Sequence, residues 1–128
     1  MAGGQLRINK YLATLSVSAL LLAGCANQEM YYWGEYESIV RQSYVEPGSM
    51  DVQTQIEKLS ADLQKTEAAG KKIAPGIYAH LGTLYAAQGK YAQSRAALLQ
   101  EKTLFPEARV LIDGMLGRVD KRQTNNDK

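Results

Sequence analysis

From Tyr31 onward apolar positions recur every three or four residues, and glycines and prolines break the pattern into short segments, which predicts a succession of amphipathic helices. Tyr36, Ile39, Val40 and Tyr44 share one helical face, and Glu46-Pro47-Gly48-Ser49 stops that helix. A second helix is predicted from a cap at Asp51 to about Ala69, with Gly70 ending it. Its apolar stripe is narrow (Val52, Ile56, Leu59, Leu63), while Gln53, Gln55, Glu57, Lys58, Asp62, Gln64 and Lys65 are assigned to solvent. Gly70 to Ala74 reads as a linker. Pro75 is placed at the first helical position of a third helix that ends near Gln88. Gly89 turns the chain into a fourth helix, Tyr91 to Leu104, and Pro106 opens a fifth. In the last one Ala108, Leu111, Ile112, Met115, Leu116 and Val119 follow the helical spacing without a break. Such a stripe is core or a partner groove, and core is the reading adopted. Residues 120–128 are polar and are expected to be a disordered tail.

The segment before Tyr31 has a different pattern. Arg7 and Lys10 precede an uncharged apolar run from Tyr11 to Leu22, and Leu22-Ala23-Gly24-Cys25 follows. A basic stretch, an apolar stretch and small residues form an export signal. The run is shorter than the roughly twenty residues a bilayer core requires. The tetrapeptide resembles the lipobox of bacterial lipoprotein precursors. That resemblance implies a diacylglycerol thioether on Cys25, cleavage at Gly24/Cys25 and acylation of the new amino group, palmitate being a typical chain. Residues 1–24 are then a signal peptide and residues 25–30 a lipidated tether. One acyl chain holds a protein only marginally, and each buried methylene adds about 0.8 kcal/mol, so three chains anchor it lastingly. Ala26 stands where an aspartate would, by family analogy, favour the inner membrane. Its presence implies the periplasmic face of the outer membrane.

Cleavage also changes the charge. Residues 1–24 contain Arg7 and Lys10 and no acidic residue, so the remainder has 13 basic and 13 acidic side chains. Most of the basic character behind a pI of 8.6 therefore belongs to the leader, and no basic excess remains to favour nucleic acid as a partner. The rest is one small domain, 31–119, with a modest core.

Within that domain Tyr78, Leu81, Gly82 and Tyr85, then Gly89, Tyr91 and Pro106, resemble a tetratricopeptide repeat spanning 75–108. Gly82 is where the paired helices approach closely. Ser94 stands where alanine is usual. Glu101 stands where a second small residue is usual, from which a looser or exposed contact is expected. Gly34-Glu35-Tyr36 echoes Gly89-Lys90-Tyr91, as though the first helix were left from a preceding repeat. A lone hairpin leaves its apolar faces bare, so the second and fifth helices are expected to cover it. The fold class is all-α, about five helices in a tetratricopeptide-like array.

The stretches Tyr32-Trp33-Gly34-x-Tyr36, Glu46-Pro47-Gly48, Pro75-Gly76-x-Tyr78-Ala79-x-Leu81-Gly82-x-Leu84-Tyr85 and Glu101-Lys102-x-x-Phe105-Pro106-Glu107 are also similar to a family of small bacterial lipoproteins known only as a domain of unknown function. The resemblance covers nearly all of Tyr31 to Val119. It implies genes lying beside those for a lipoprotein like the curli-type secretion channel and another outer-membrane lipoprotein, hence an envelope complex with lipoprotein partners.

Reactive groupings are scarce. His80 has no second nitrogen or sulfur ligand beside it in sequence, so no metal is expected. Glu35 and Glu37 fall on different helical faces and make a poor acid/base pair. No phosphate loop, nucleophile elbow or dinucleotide fingerprint occurs. The expectation is a protein that is not an enzyme, without cofactor or small-molecule substrate. Partner-binding candidates are Tyr31, Tyr32 and Trp33, close to the lipid, and Tyr78, Thr83 and Tyr85 on the first helix of the repeat. Trp33 and Tyr36 are assigned to anchoring the first helix, and Tyr31 to the surface. Two functions follow as expectations: a lipid-anchored adaptor, or a cell-wall factor that binds peptidoglycan or activates an enzyme acting on it.

Overall fold

A computed structural model describes residues 30–126. The signal peptide and Cys25 lie outside the described residues. The chain runs through β1 (Tyr31–Tyr32), α1 (Tyr36–Val45), α2 (Val52–Ala68), β2 (Lys72–Ile73), α3 (Ile77–Ala87), α4 (Tyr91–Leu104), a 3-10 turn (Pro106–Ala108) and α5 (Arg109–Asn126). Among the described residues the fold is all-α, with five helices in an array. Asp51 caps α2 as its sequence position suggests, its carboxylate accepting the Thr54 N–H at 3.0 Å. The hydrogen bonds from Thr54 hold that carboxyl below its ordinary range.

The α3–α4 hairpin is the centre of the molecule. A Cβ at Gly82 would lie 2.7 Å from Leu98 Cγ and 3.2 Å from the Ser94 carbonyl, so only glycine admits this crossing. Ser94 uses its hydroxyl there, donating to the Gly82 carbonyl at 2.6 Å. On one side of the hairpin Ile39, Ile56, Leu59, Ala74, Ile77, Leu81, Leu84 and Ala97 form a core; on the other side Leu98, Ile112, Leu116 and Val119 form a second. Neighbouring residues Ala97 and Leu98 of α4 thus serve different cores. The α2 and α5 stripes cover the two sides of the hairpin, as its bare faces require.

Several details differ from the sequence reading. The Tyr31-Tyr32 segment and the expected linker pair as parallel strands, with Tyr31 opposite Lys72 and Tyr32 opposite Ile73. Pro75 sits ahead of Gly76, the N-cap of α3, which has a φ of 96°. Residues 120–126 are helical where a disordered tail is expected. Arg95 donates to both Asp120 oxygens, at 2.7 and 2.9 Å, and the Asn126 amide donates to the Tyr91 hydroxyl, so α4 supports the end of α5. Leu111, assigned to the core stripe, is 61% exposed.

Two carboxylates assigned to solvent or to a loose contact are buried. Glu101 accepts the N–H of Gly76 at 2.7 Å and of Ala79 at 3.2 Å. The start of α3 has no cap from its own N-cap side chain, and Glu101 of α4 supplies one. Asp62 of α2 does the same for α1, accepting the N–H of Glu35 at 2.6 Å, with Lys65 Nζ 3.8 Å from its other oxygen. A helix start approached by a following helix needs an acceptor at that point, and this need outweighs the preference of a carboxylate for water.

Candidate partner-binding surface

Helix α3 has a groove on each flank. Tyr78 and Tyr85 are seven residues apart, close to two helical turns, and therefore share a face. With Leu63 of α2 and Gln100 of α4 they line a hollow of about 410 Å³. Burial raises the titration range of the Tyr78 phenol, with the charges of Glu67 and Glu101 adding to it.

Thr83 faces elsewhere. Five residues after Tyr78 it is rotated by about 140°. It lies in a second hollow, of about 240 Å³, with Ala87 of α3 and Met115, Arg118, Val119 and Arg122 of α5. The Thr83 hydroxyl donates to the Ala79 carbonyl at 3.1 Å. The three repeat residues proposed to share a groove are thus divided between two. Sequence reasoning treated Met115 as core, and it does pack against the second core, but did not single out Arg118 and Arg122 as binding residues. The available signal was their four-residue spacing beside Met115 and Val119.

Tyr31, Tyr32 and Trp33 belong to an aromatic chain at the entry to the domain. Tyr31 makes edge contacts with Trp33 at 6.3 Å and Phe105 at 6.4 Å between ring centres. Trp33 stacks on Tyr36 at 6.2 Å with planes 7° apart, and the edge of Tyr36 meets His80 at 5.8 Å. Lys71 Nζ stands 5.8 Å from the Tyr32 ring centre. The expected roles of two rings are exchanged: Tyr31 is half-buried against the first core, while Trp33 is 36% exposed. Strand pairing explains the exchange, since it draws Tyr31 in beside β2 and leaves Trp33 at the turn. Burial pushes the Tyr36 phenol up, helped by the charge of Glu101, and pushes His80 below its usual range.

Glu35 pairs with Lys58, whose hydrogen bond holds the Glu35 carboxyl below its ordinary range. Among the described residues no three His, Cys, Asp or Glu side chains are grouped to hold a metal ion, and no helix is long and apolar enough to cross a membrane. Around α3 the surface supplies two grooves with apolar floors and polar edges, beside a partly exposed aromatic chain, and this is an arrangement able to seat side chains of another molecule. A family model described as a domain of unknown function (DUF4810) matches residues 30–115. No curated protein and no solved structure matches the chain. Since the family match takes in more than half of its length, the chain belongs to the DUF4810 family.

Proposed function

We propose that this protein is a lipid-anchored adaptor, held at the periplasmic face of the outer membrane through Cys25, that joins neighbouring envelope lipoproteins in a complex related to curli-type secretion. The observation that carries the adaptor reading is the pair of open grooves flanking α3, one on each side of a helical hairpin. The Leu22-Ala23-Gly24-Cys25 motif supports the anchor. Envelope complex partners are inferred from the lipoprotein-family resemblance. Cys25→Ser is expected to release the protein from membranes or leave an unprocessed precursor; unchanged size and fractionation would remove the anchor from this reading. Cross-linking and capture of the full-length protein in mild detergent is expected to recover a defined envelope lipoprotein. Recovery of a lone monomer counts against the adaptor.

The exposed Trp33 ring, stacked on Tyr36, favours a second reading in which the protein binds peptidoglycan or activates an enzyme acting on it. An indole presented in this way suits stacking on a sugar face. Retention on isolated sacculi that falls on Trp33→Ala is the expected result. No retention removes this reading.

A further inference from the structure

The two acidic residues of helix α5 and the two arginines Arg118 and Arg122 lie on different faces of it. Its acidic residues Asp113 and Asp120 are paired with α4, Asp113 with Lys102 at 2.5 Å and Asp120 with Arg95 at 2.7 Å. Its groove side instead carries Arg118 and Arg122, and neither takes part in an ion pair among the described residues. They are the charged residues lining the hollow between α3 and α5, and α3 contains no acidic residue to answer them. Between them the floor is apolar, formed by Met115, Val119 and Ala87. A four-residue spacing sets the two guanidinium stems about 6 Å apart on one helical face. Each guanidinium offers a planar fork of donors suited to a carboxylate.

Resting on the adaptor reading, we propose that this groove takes an acidic segment of a protein partner, which seats an apolar side chain against Met115 and Val119 and places one carboxylate on Arg118 and another on Arg122. The occupant is chosen by charge complementarity. A neutral apolar segment would give the two guanidinium groups no charge partner, and a basic one would be repelled. Two carboxylates four residues apart on a helix, with an apolar residue between them, match the spacing.

The full-length protein in detergent micelles is titrated, by fluorescence anisotropy, with a fluorescein-labelled helical peptide carrying two glutamates four residues apart around a leucine, and with its glutamine and lysine counterparts. The glutamate peptide is expected to bind roughly tenfold more tightly than the glutamine peptide at low salt, with the difference shrinking at about 0.5 M salt. Arg118→Glu with Arg122→Glu is expected to lose the glutamate peptide and gain the lysine peptide while keeping its circular dichroism; Arg118→Gln with Arg122→Gln gives an intermediate loss. Equal binding of the glutamate and glutamine peptides overturns the proposal, as does binding of the glutamate peptide that survives charge reversal, or no binding at all. Retention on phosphatidylglycerol vesicles through these arginines without peptide binding also overturns it, in favour of a lipid-facing groove. If capture of an envelope lipoprotein persists in the charge-reversed protein, the groove assignment fails while the adaptor stands; unchanged fractionation of Cys25→Ser concerns the anchor alone.

Discussion

Hairpins α1–α2 and α3–α4 each start from a two-residue strand, turn through a glycine at positive φ (51° at Gly34, 96° at Gly76), and have the N-cap N–H of the leading helix taken by a buried carboxylate from the following one. The Gly34-Glu35-Tyr36 echo of Gly89-Lys90-Tyr91 also holds locally, each being a glycine at positive φ, an N-cap residue and a tyrosine that opens the helix. The two units then close differently. In α3–α4 the carboxylate of Glu101 takes two N–H groups and the helices meet at Gly82. In α1–α2 the carboxylate of Asp62 takes one, its second oxygen makes no hydrogen bond, and the far end of α1 leaves Tyr44 and Val45 exposed at 82% and 66%. The same capping device therefore works with and without a tight crossing. It fixes where a helix begins, and close packing is a separate achievement of small residues.

Glu101→Ala tests that contrast most severely. It leaves two part-buried N–H groups without an acceptor, empties the space of a buried side chain and is expected to cost about 3 kcal/mol, a fall in Tm of roughly 15 °C by thermal circular dichroism. Gly82→Ala comes next, at about 2 kcal/mol, because the new methyl meets Leu98 at the closest point of the crossing. Asp62→Ala should cost about 1.5 kcal/mol, since a single N–H is orphaned. A loss equal to that of Glu101→Ala would erase the difference between the hairpins. Gly117 of α5 is a control outside both: a Cβ there meets nothing within 4 Å. Gly117→Ala is expected to stabilise by about 0.7 kcal/mol, a sign opposite to Gly82→Ala.

The smallest effect is the pH dependence of His80, which lies between the hairpins against Tyr36. Burial holds its folded pKa below the ordinary 6.5. The unfolded chain therefore takes up the proton first, and the contribution to stability, complete above about pH 6.5, is lost as pH falls through the folded value. Melting followed from pH 7.5 downward should show a decline that His80→Gln reduces. An unchanged decline would place the acid sensitivity elsewhere.

Much of this organisation is written in local pattern. The α2 stripe, the Asp51 cap, the Gly82 crossing and the covering of the repeat by α2 and α5 are read from spacing, because each depends on periodicity or on the stereochemistry of one residue type. Other features escaped for reasons equally physical. Strands of two residues are too short to show alternation, so β1 and β2 passed as a lead-in and a linker. Residues 120–126 have the composition of a tail, and it is Arg95 and Tyr91, some 25 to 35 positions away, that accompany them as helix. Of the candidate site, Tyr78, Thr83 and Tyr85 were grouped by their common helix, and the helical rotation leaves Tyr78 and Tyr85 on one face and Thr83 on another.

By itself, then, the sequence determined the helices, their apolar faces and the glycine that lets two of them cross, since these follow from side-chain volume, backbone freedom and a period of about 3.6 residues. Tertiary structure alone decided which charges are buried and which remain open. Asp62 and Glu101 became caps because a neighbouring helix starts beside them, and Arg118 and Arg122 line a groove because of the way α5 packs beside α3, while the acids of α5 pair with α4. A carboxylate or guanidinium carries no local sign of its partner, because the partner is set by contacts between residues distant in the chain.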